Sequence, residues 1–140
     1  IPLFKKSDIA VFSAAVADYR PAEVFSEKWK KDKKASSPPI TLTENPDILK
    51  YCVTNKRPGQ IVVGFALETE NEETNALKKL HAKQATMIVL NSLREQGAGF
   101  GGDTNKITIF EESGNKQEWP LLSKDDAALQ IVKAIINHIK

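Results

Sequence analysis

The chain has 140 residues, with 20 Lys and Arg against 18 Asp and Glu and a formal net charge of +2. This length suits about one domain, and a hydrophobic fraction of 41% with 27% charged residues excludes wholesale disorder. The single cysteine, Cys52, excludes an intrachain disulfide framework and a multi-cysteine metal site. The balanced charge argues against a general nucleic-acid binder, and no apolar stretch approaches the ~20 residues of a membrane span.

The first predicted element is a strand over residues 8–17, which are apolar almost without interruption. Such a run is typical of a strand buried on both faces of a parallel sheet. Pro21 ends the run, because proline lacks an N–H group and disfavours helix at the residue before it. Residues 22–39 are polar and rich in lysine, and we expect a loop or flap there. Residues 40–43 predict a short strand with one polar face.

A helix is predicted to follow, with Asn45 as its N-cap, Pro46 at its first position and an end near Asn55. Cys52 lies on this helix and is expected in the core. Residues 60–66 then predict a second buried strand, because they are apolar and bounded by glycine and proline on one side.

The next pair of elements repeats the alternation of helix and strand. Residues 68–83 predict a helix, because acidic side chains near its start and basic ones near its end match the helix dipole. Residues 86–90 predict a third buried strand, and Asn91 lies at its carboxyl end. A glycine-rich loop over 97–102 follows, and it lacks the spacing of a phosphate-binding fingerprint.

The last third of the chain predicts a hairpin and a helix. Residues 106–110 and 117–122 indicate two strands that turn at 113–115. Ser123 opens an amphipathic helix, whose apolar stripe is expected to face the core: Ala128, Leu129, Val132, Ile135, Ile136 and Ile139. The alternation of buried strands and helices indicates an α/β domain, with a mostly parallel sheet and a C-terminal hairpin.

Polar residues recur where predicted strands end. Asp18, the Glu68 region and Asn91 follow or end such strands, and Asn45 follows another. In parallel sheets covered by helices, ligands bind at the carboxyl ends of the strands. We therefore expect these residues to converge on one edge of the sheet.

The lysine-rich segment 28–34 has three interpretations from its residues alone. The plainest is a solvated surface loop. Alternatively, it is a flap over a phosphate-rich ligand, since lysine ammonium groups suit phosphates as mobile point charges. A nucleic-acid arm, with Trp29 stacking on a base, is the weakest of the three because there is no second basic patch.

Other candidate residues also have two interpretations. Asn45 could cap a helix and do nothing more, or the helix start could bind an anion or other ligand. Phe65 could pack in the core or present its ring to a nucleobase. Lys79 and Lys83 lie four residues apart on one helix face, which faces either solvent or a ligand.

Five short motifs occur in order along the chain: residues 14–21, 27–31, 45–48, 63–69 and 100–108. With Asn91 before the last of them, this series resembles the phosphopantothenate–cysteine ligase domain. In most bacteria that domain is the C-terminal half of a bifunctional coenzyme A biosynthesis flavoprotein. The resemblance covers nearly all of residues 1–140. It implies a Rossmann-like three-layer fold and the C-terminal portion of the ligase domain, with a flap at about 22–39.

The resemblance also implies a chemistry. Family members use CTP and Mg²⁺ to activate the carboxylate of 4′-phosphopantothenate as an acyl-cytidylate, which the amine of cysteine then attacks. Lys28 matches the family's active-site lysine, which a flap carries. The positions that match nucleotide contacts are Phe12, Ser13, Ala14, Asp18, Lys28, Asn45, Pro46, Asp47, Ile48, Phe65, Lys79 and Lys83. No direct metal ligand is predicted, and the residues do not distinguish CTP from ATP.

Some parts of the family pattern do not occur in this sequence. These are the first glycine-rich turn, the asparagine that holds the acyl-cytidylate, and the flavin-binding decarboxylase half. We therefore expect no bound flavin and an incomplete ligase. The alternative is a non-catalytic nucleotide-binding or dimerisation fragment, for which strand 40–43 and hairpin 106–122 are candidate pairing elements. The resemblance further implies a homodimer, a cytoplasmic location, and neither nucleic acid nor membrane as a partner.

Overall fold

The computed structural model describes residues 2–28, 39–93 and 102–139. The chain divides into two compact units. Residues 14–47 form the first, called here the small unit, and residues 1–13 with 48–140 form the second, called the sheet unit. None of the helices in the described ranges is long and apolar enough to cross a membrane.

The sheet unit contains a short 3₁₀ helix, Phe4–Lys6, and a five-stranded sheet flanked by three α-helices. The strands are β1 (Ile9–Phe12), β4 (Ile61–Glu68), β5 (Met87–Ser92), β6 (Thr104–Glu111) and β7 (Lys116–Ser123), and the helices are α1 (Ile48–Thr54), α2 (Glu72–Lys83) and α3 (Lys124–Ile139). The small unit contains β2 (Tyr19–Pro21) and β3 (Leu42–Glu44).

The order of strands in the large sheet is β1-β4-β5-β6-β7. The pairs β1–β4 and β4–β5 are parallel, whereas β6 is antiparallel to both of its neighbours. Four of the five strands in this sheet thus share one direction. The predicted α/β class, the mostly parallel sheet and the C-terminal hairpin are confirmed.

The sheet separates two apolar clusters, which makes the unit three layers thick. Residues of β5 alternate between them, as the period of two along a strand requires. Ile88 and Leu90 face the cluster that α1 and α2 cover, while Met87 and Val89 face the cluster that α3 covers. This two-sided burial explains why β4 and β5 are continuously apolar in sequence.

The prediction for residues 8–17 was wrong in length and in burial. The strand ends at Phe12, and Ile9 and Val11 remain 39% and 48% exposed. Their partners on β4, Ile61 and Val63, are buried. Ile9 and Val11 are exposed because β1 lies at the edge of the sheet. The apolar cluster between α3 and the sheet includes residues of β4 but none of β1.

The predicted core stripe of α3 was also wrong in large part. The side of the helix that packs on the sheet consists of Ala127, Ile131, Ala134 and Ile135. Leu129, Val132, Ile136 and Ile139 are exposed. Apolar residues occupy more than one face of this helix, so the spacing alone does not determine which face meets the sheet.

The small unit consists of β2 and β3, which pair in antiparallel register with Tyr19 opposite Glu44 and Pro21 opposite Leu42. The sequence reading of residues 40–43 as a strand is close to β3, but the partner strand β2 was missed. None of the described residues of this unit, 14–28 and 39–47, is buried. Its conformation therefore depends on polar contacts rather than on a core of its own.

Candidate functional site

The carboxyl ends of the parallel strands form one edge of the sheet unit. There β1 ends at Phe12, β4 at Glu68 and β5 at Ser92, one residue after Asn91. The prediction that the Glu68 region and Asn91 share an edge is confirmed. Asp18 and Asn45 belong to the small unit and are described with it. In sheets of this kind the carboxyl edge is where ligands bind.

Phe12 and Ser13 lie at the end of β1. The Phe12 ring is partly buried, with its centroid 6.5 Å from that of Phe4, and it packs against the cluster on the α2 side. Ser13 is exposed. At this strand end Ser13 is therefore more accessible to solvent than Phe12.

Phe65 and Lys79 are brought together by the fold. The Nζ atom of Lys79, on α2, donates a hydrogen bond of 2.7 Å to the carbonyl oxygen of Phe65, on β4. The Phe65 ring is half-buried and packs against the cluster on the α3 side. Lys79 is therefore directed at the strand rather than into open solvent. Its neighbour one turn on, Lys83, is half-buried at the end of α2, and Ile48 is 45% exposed at the start of α1.

Asn45 is the centre of the polar contacts in the small unit. Its Nδ2 atom donates to the carbonyl oxygen of Ala17 at 2.7 Å, and its Oδ1 atom accepts from Arg20 Nη1 at 3.0 Å. Its backbone N–H donates to the carbonyl oxygen of Asp18 at 2.7 Å. The prediction that Asn45 caps a helix was wrong, because α1 begins only at Ile48 and these contacts engage the side chain elsewhere.

The remaining predicted site residues of the small unit are exposed: Ala14, Asp18, Lys28, Pro46 and Asp47. Lys28 is the last described residue before 39, so the rest of the predicted flap, residues 29–38, lies outside the described residues. Residues 94–101, which include most of the glycine-rich loop, lie outside them too. The assignment of all these residues to a nucleotide stays a prediction.

The thiol of Cys52 and the potential metal ligands remain to be described. Burial raises the pKa of the Cys52 thiol, whose residue is 2% exposed in the core, as predicted. In residues 2–28, 39–93 and 102–139, no group of three or more His, Cys, Asp or Glu side chains is placed to hold a metal ion.

The sequence reasoning missed a polar cleft beside the carboxyl end of β5. Its lining combines the first turn of α2 with side chains of β5, β6 and β7, among them Ser92, Lys106, Thr108 and Lys116. A signal was present: Lys106 and Thr108 alternate with apolar residues along β6, which places both on one face of the sheet. Recognising the cleft also requires knowing that α2 covers that face.

Comparisons with known proteins agree with this architecture. The profile of the DFP family, described as the DNA/pantothenate metabolism flavoprotein C-terminal domain, matches residues 2–139. A coenzyme A biosynthesis bifunctional protein CoaBC from Bacillus subtilis (strain 168) is 43% identical over 135 residues, which are 96% of this chain and 32% of that protein. A cysteine/cysteine sulfinic acid decarboxylase from an unknown prokaryotic organism is 41% identical over 139 residues, 99% of this chain and 38% of that protein. The chain thus spans about a third of the length of these curated relatives.

Solved structures show the same fold. The crystal structure of the C-terminal domain of a CoaBC protein superposes with a TM-score of 0.72 at 39% sequence identity, covering 96% of this chain and 58% of that one. A mutant of Cab2 in complex with phosphopantothenate-cysteine superposes with a TM-score of 0.60 at 17% identity, covering 91% of this chain and 44% of that one. The second likeness shows the fold alone.

Proposed function

The chain belongs to the family of the DNA/pantothenate metabolism flavoprotein C-terminal domain, and on that premise we propose that it is the C-terminal part of a phosphopantothenate–cysteine ligase of coenzyme A biosynthesis. The observation that carries the proposal is the 39% identity to a solved CoaBC C-terminal domain over 96% of this chain. The order of the five motifs along the sequence supports it. The chain covers 38% of the relative that bears a decarboxylase name, and that activity is not part of the proposal.

In the proposed reaction the carboxylate of 4′-phosphopantothenate attacks the α-phosphorus of CTP, and pyrophosphate leaves. The amine of cysteine then attacks the acyl carbon of the resulting acyl-cytidylate, and CMP leaves as the amide forms. Negative charge builds up on the departing pyrophosphate, and lysine ammonium groups stabilise it electrostatically. We assign that role to Lys28, which is exposed and begins the most lysine-rich segment of the chain.

Mg²⁺ fits this proposal as a companion of the nucleotide. Proteins usually hold Mg²⁺ through one or two carboxylates together with substrate phosphates, rather than in an all-protein cage. When bound, the ion would neutralise phosphate charge.

In the sheet unit, we assign nucleotide contacts to the end of β1 and to the Phe65 region. Lys79 supports this, because its ammonium group is hydrogen-bonded to the Phe65 carbonyl and is therefore positioned at β4. A lysine ammonium has three N–H donors, and the one bond found among the described residues leaves the others available to a phosphate or ribose. Lys83, four residues further along α2, extends the same basic face.

In the small unit, we assign nucleotide contacts to Asp18 and to residues 45–47, and in the sheet unit to Ile48 at the start of α1. The hydrogen bonds of Asn45 to Ala17 and Arg20 hold this backbone in one conformation without a hydrophobic core. A preorganised backbone loses less conformational entropy when a ligand binds. Ala14, Pro46 and Asp47 complete the proposed contact set.

The test of the proposal is product formation from 4′-phosphopantothenate, cysteine and CTP by the full-length protein. We expect Lys28→Ala to lower kcat by about a hundredfold or more, since removing one group that stabilises a transition-state charge typically costs that much. Lys133→Ala on the exposed surface of α3 is the matched control and should leave kcat unchanged. Undiminished turnover in Lys28→Ala would sink the role given to Lys28, and no ligation by the unaltered protein would sink the proposal itself.

A second candidate is nucleotide binding without catalysis, because the chain covers 58% of the solved CoaBC C-terminal domain. Calorimetry of the 140-residue chain with CTP and Mg²⁺ addresses it. Binding of CTP without turnover by the 140-residue chain supports this candidate, and Lys79→Met should then weaken CTP binding.

The proposed homodimer and cytoplasmic location come from the family. Sedimentation of the full-length protein as a monomer at high concentration would contradict the dimer.

A further inference from the structure

A cleft of about 470 Å³ lies on the α2 side of the sheet, next to the carboxyl end of β5. The first turn of α2, from Asn71 to Thr74, forms one wall. Side chains of β5, β6 and β7 form the floor and the other wall, with Leu90 and Phe110 as apolar members. The volume lies within the range of small-molecule sites. None of the residues assigned above to the nucleotide lines it.

Thr108 is the residue that distinguishes this cleft from an ordinary surface groove. It is 8% exposed and lines the cleft, yet its hydroxyl group has no hydrogen-bond partner among the described residues. Ser92, equally buried nearby, donates to the carboxylate of Glu72 at 2.9 Å. The Thr108 hydroxyl oxygen is not among the fully buried side-chain atoms that lack a hydrogen-bond partner. On a residue that is otherwise buried and that lines the cleft, it is a polar group accessible from a space that a ligand can fill.

The residues at the start of α2, Asn71 to Thr74, line the same space. The first N–H groups of any helix lack intrahelical acceptors. Asn71, at the N-cap position, has φ of 47° and makes no side-chain capping hydrogen bond. The helix dipole places partial positive charge at this end. A carboxylate in the cleft would meet both the N–H groups and that charge.

Charged side chains of both signs surround the cleft in loose ion pairs. Lys116 Nζ lies 2.9 Å from Glu73 Oε2 and 3.9 Å from Glu118 Oε2, and Lys106 Nζ lies 3.8 Å from Glu118 Oε1. The side chains of Glu73 and Glu118 are more than half exposed. Such exposed pairs contribute little to stability, so a ligand can rearrange them at small cost.

This mixture of charges selects the class of ligand. A phosphate or other multiply charged anion would be repelled by three carboxylates, those of Glu72, Glu73 and Glu118. A cation would be repelled by Lys106 and Lys116 and by the positive end of α2. A molecule that carries one positive and one negative charge finds a partner for each.

We propose that this cleft binds the zwitterionic α-amino-acid group of a free small amino acid. The carboxylate accepts hydrogen bonds from the start of α2 and from the Thr108 hydroxyl, with Lys116 as its counter-charge. The ammonium group lies against Glu118. The identity of cysteine as the natural amino acid rests on the proposed function, which supplies it as a substrate, whereas the class of ligand rests on the cleft alone.

The experiment is calorimetry of the full-length protein with four probes, under reducing conditions and without nucleotide. Cysteine and alanine carry both charges, cysteamine lacks the carboxylate, and 3-mercaptopropionate lacks the ammonium group. We expect cysteine and alanine to bind with millimolar dissociation constants, and each single-charge probe to bind at least about tenfold more weakly. Equal binding of all four probes, or no binding of any, overturns the proposal.

Two variants test the assigned contacts. Thr108→Val keeps the shape of the side chain and should weaken alanine binding about tenfold or more, the usual effect of one lost hydrogen bond to a charged group. Because the hydroxyl has no hydrogen-bond partner among the described residues, the melting temperature of the Thr108→Val protein should not fall. Lys116→Met should weaken alanine binding at least as much, and Lys133→Met on α3 should not change it. Alanine binding that is unaltered in both cleft variants overturns the proposal.

A loss of stability in Thr108→Val would indicate a structural role for Thr108. The variant Thr108→Ser then distinguishes a structural role of this side chain from a ligand-binding role of its hydroxyl group. Serine keeps the hydroxyl, so retained alanine binding in Thr108→Ser supports the proposal, and its loss overturns it. The outcomes also separate this proposal from the ligase. A loss of ligation in Lys28→Ala with unchanged alanine binding tests the ligase proposal and leaves the cleft proposal untouched. A loss of alanine binding in the cleft variants with unchanged CTP binding tests the cleft proposal and leaves the nucleotide assignment untouched.

Discussion

Different kinds of internal contact stabilise each of the two units of the chain. The sheet unit has fully buried apolar side chains on both faces of its central strands, such as Val63, Ile88 and Val89. In the small unit, no described residue is buried, and hydrogen bonds from Asn45 and Arg20 hold its two short strands. Burial of apolar surface is the main source of folding stability. The sheet unit should therefore carry most of the stability, and the small unit should open locally at low cost.

This difference has a functional side. Binding segments are drawn from the less stable parts of a fold, because they must order around a ligand. The small unit carries six of the residues that we assign to the nucleotide, including Lys28, while the sheet unit carries the strand ends and Lys79. We expect ligand binding to slow the hydrogen exchange of backbone amides more in the small unit than in the sheet unit.

The largest expected effect is in the core of the sheet unit. Ile88 is completely buried, so Ile88→Ala should lower the free energy of unfolding by about 2–5 kcal/mol, through lost burial and the cavity left behind. Leu42→Ala, at a 56% exposed position of the small unit, is the counterpart and should change it by less than about 0.5 kcal/mol. Denaturant titration measures both. Equal losses would break the distinction between the two units.

A middle-sized effect is expected at the start of α3. The Ser123 hydroxyl oxygen accepts a hydrogen bond of 3.0 Å from the backbone N–H of Asp126, which is the geometry of an N-cap. Ser123→Ala should therefore destabilise the sheet unit by about 1 kcal/mol in thermal or chemical unfolding. Ser123→Thr keeps the hydroxyl and should recover most of the loss. No loss in Ser123→Ala would show that this helix does not depend on its cap.

A smaller global effect is expected at Asn45. Asn45→Ala removes the side-chain contacts to Ala17 and Arg20, but it buries no new group and leaves no cavity in a core. We expect a change of less than about 0.5 kcal/mol in global unfolding, with faster hydrogen exchange at the amides of Ala22 and Asn45. Asn137→Ala, on the exposed face of α3, is the control and should leave both amides unchanged. A loss of several kcal/mol would mean that the small unit is part of the main core.

The smallest expected effect is at Cys52, and it is a change in the rate at which the thiol is alkylated. Because burial raises the pKa of its thiol, the folded protein contains less thiolate than a free cysteine at the same pH, and alkylation should be slower than in the unfolded chain. The folded state holds this proton more tightly. Any contribution to stability is therefore present below the ordinary thiol pKa and decreases as pH rises above it. Alkylation as fast as in urea would show that α1 opens readily.

Much of the fold was predictable because its signals are local. Strands β4 and β5 and the hairpin of β6 and β7 appeared in the sequence as apolar runs or alternating segments separated by turn residues. The α/β class follows from the order of those elements. Strand β2 was missed, because three exposed residues that include Pro21 carry no periodicity, and their pairing with β3 is a contact over more than twenty positions.

The candidate site was predictable only in part. Sequence position placed the Glu68 region and Asn91 at strand ends, and the direction of parallel strands then brought them to one edge. The contact between Lys79 and Phe65 was not predictable, since it depends on how α2 lies against β4. Nor was the engagement of Asn45 with Ala17 and Arg20, because the same three residues, Asn45 to Asp47, are equally typical of a helix start.

The sequence by itself determined the alternation of buried strands and helices, the family resemblance and the lysine-rich segment, because these are properties of residue type and spacing along the chain. Only the tertiary structure decided which apolar face of α3 meets the sheet, where the cover of β1 ends, and that Thr108 lines a polar cleft beside the start of α2. Those features depend on which surfaces meet across the layers. Neither periodicity nor composition contains that information, since burial depends on neighbours that are distant in sequence.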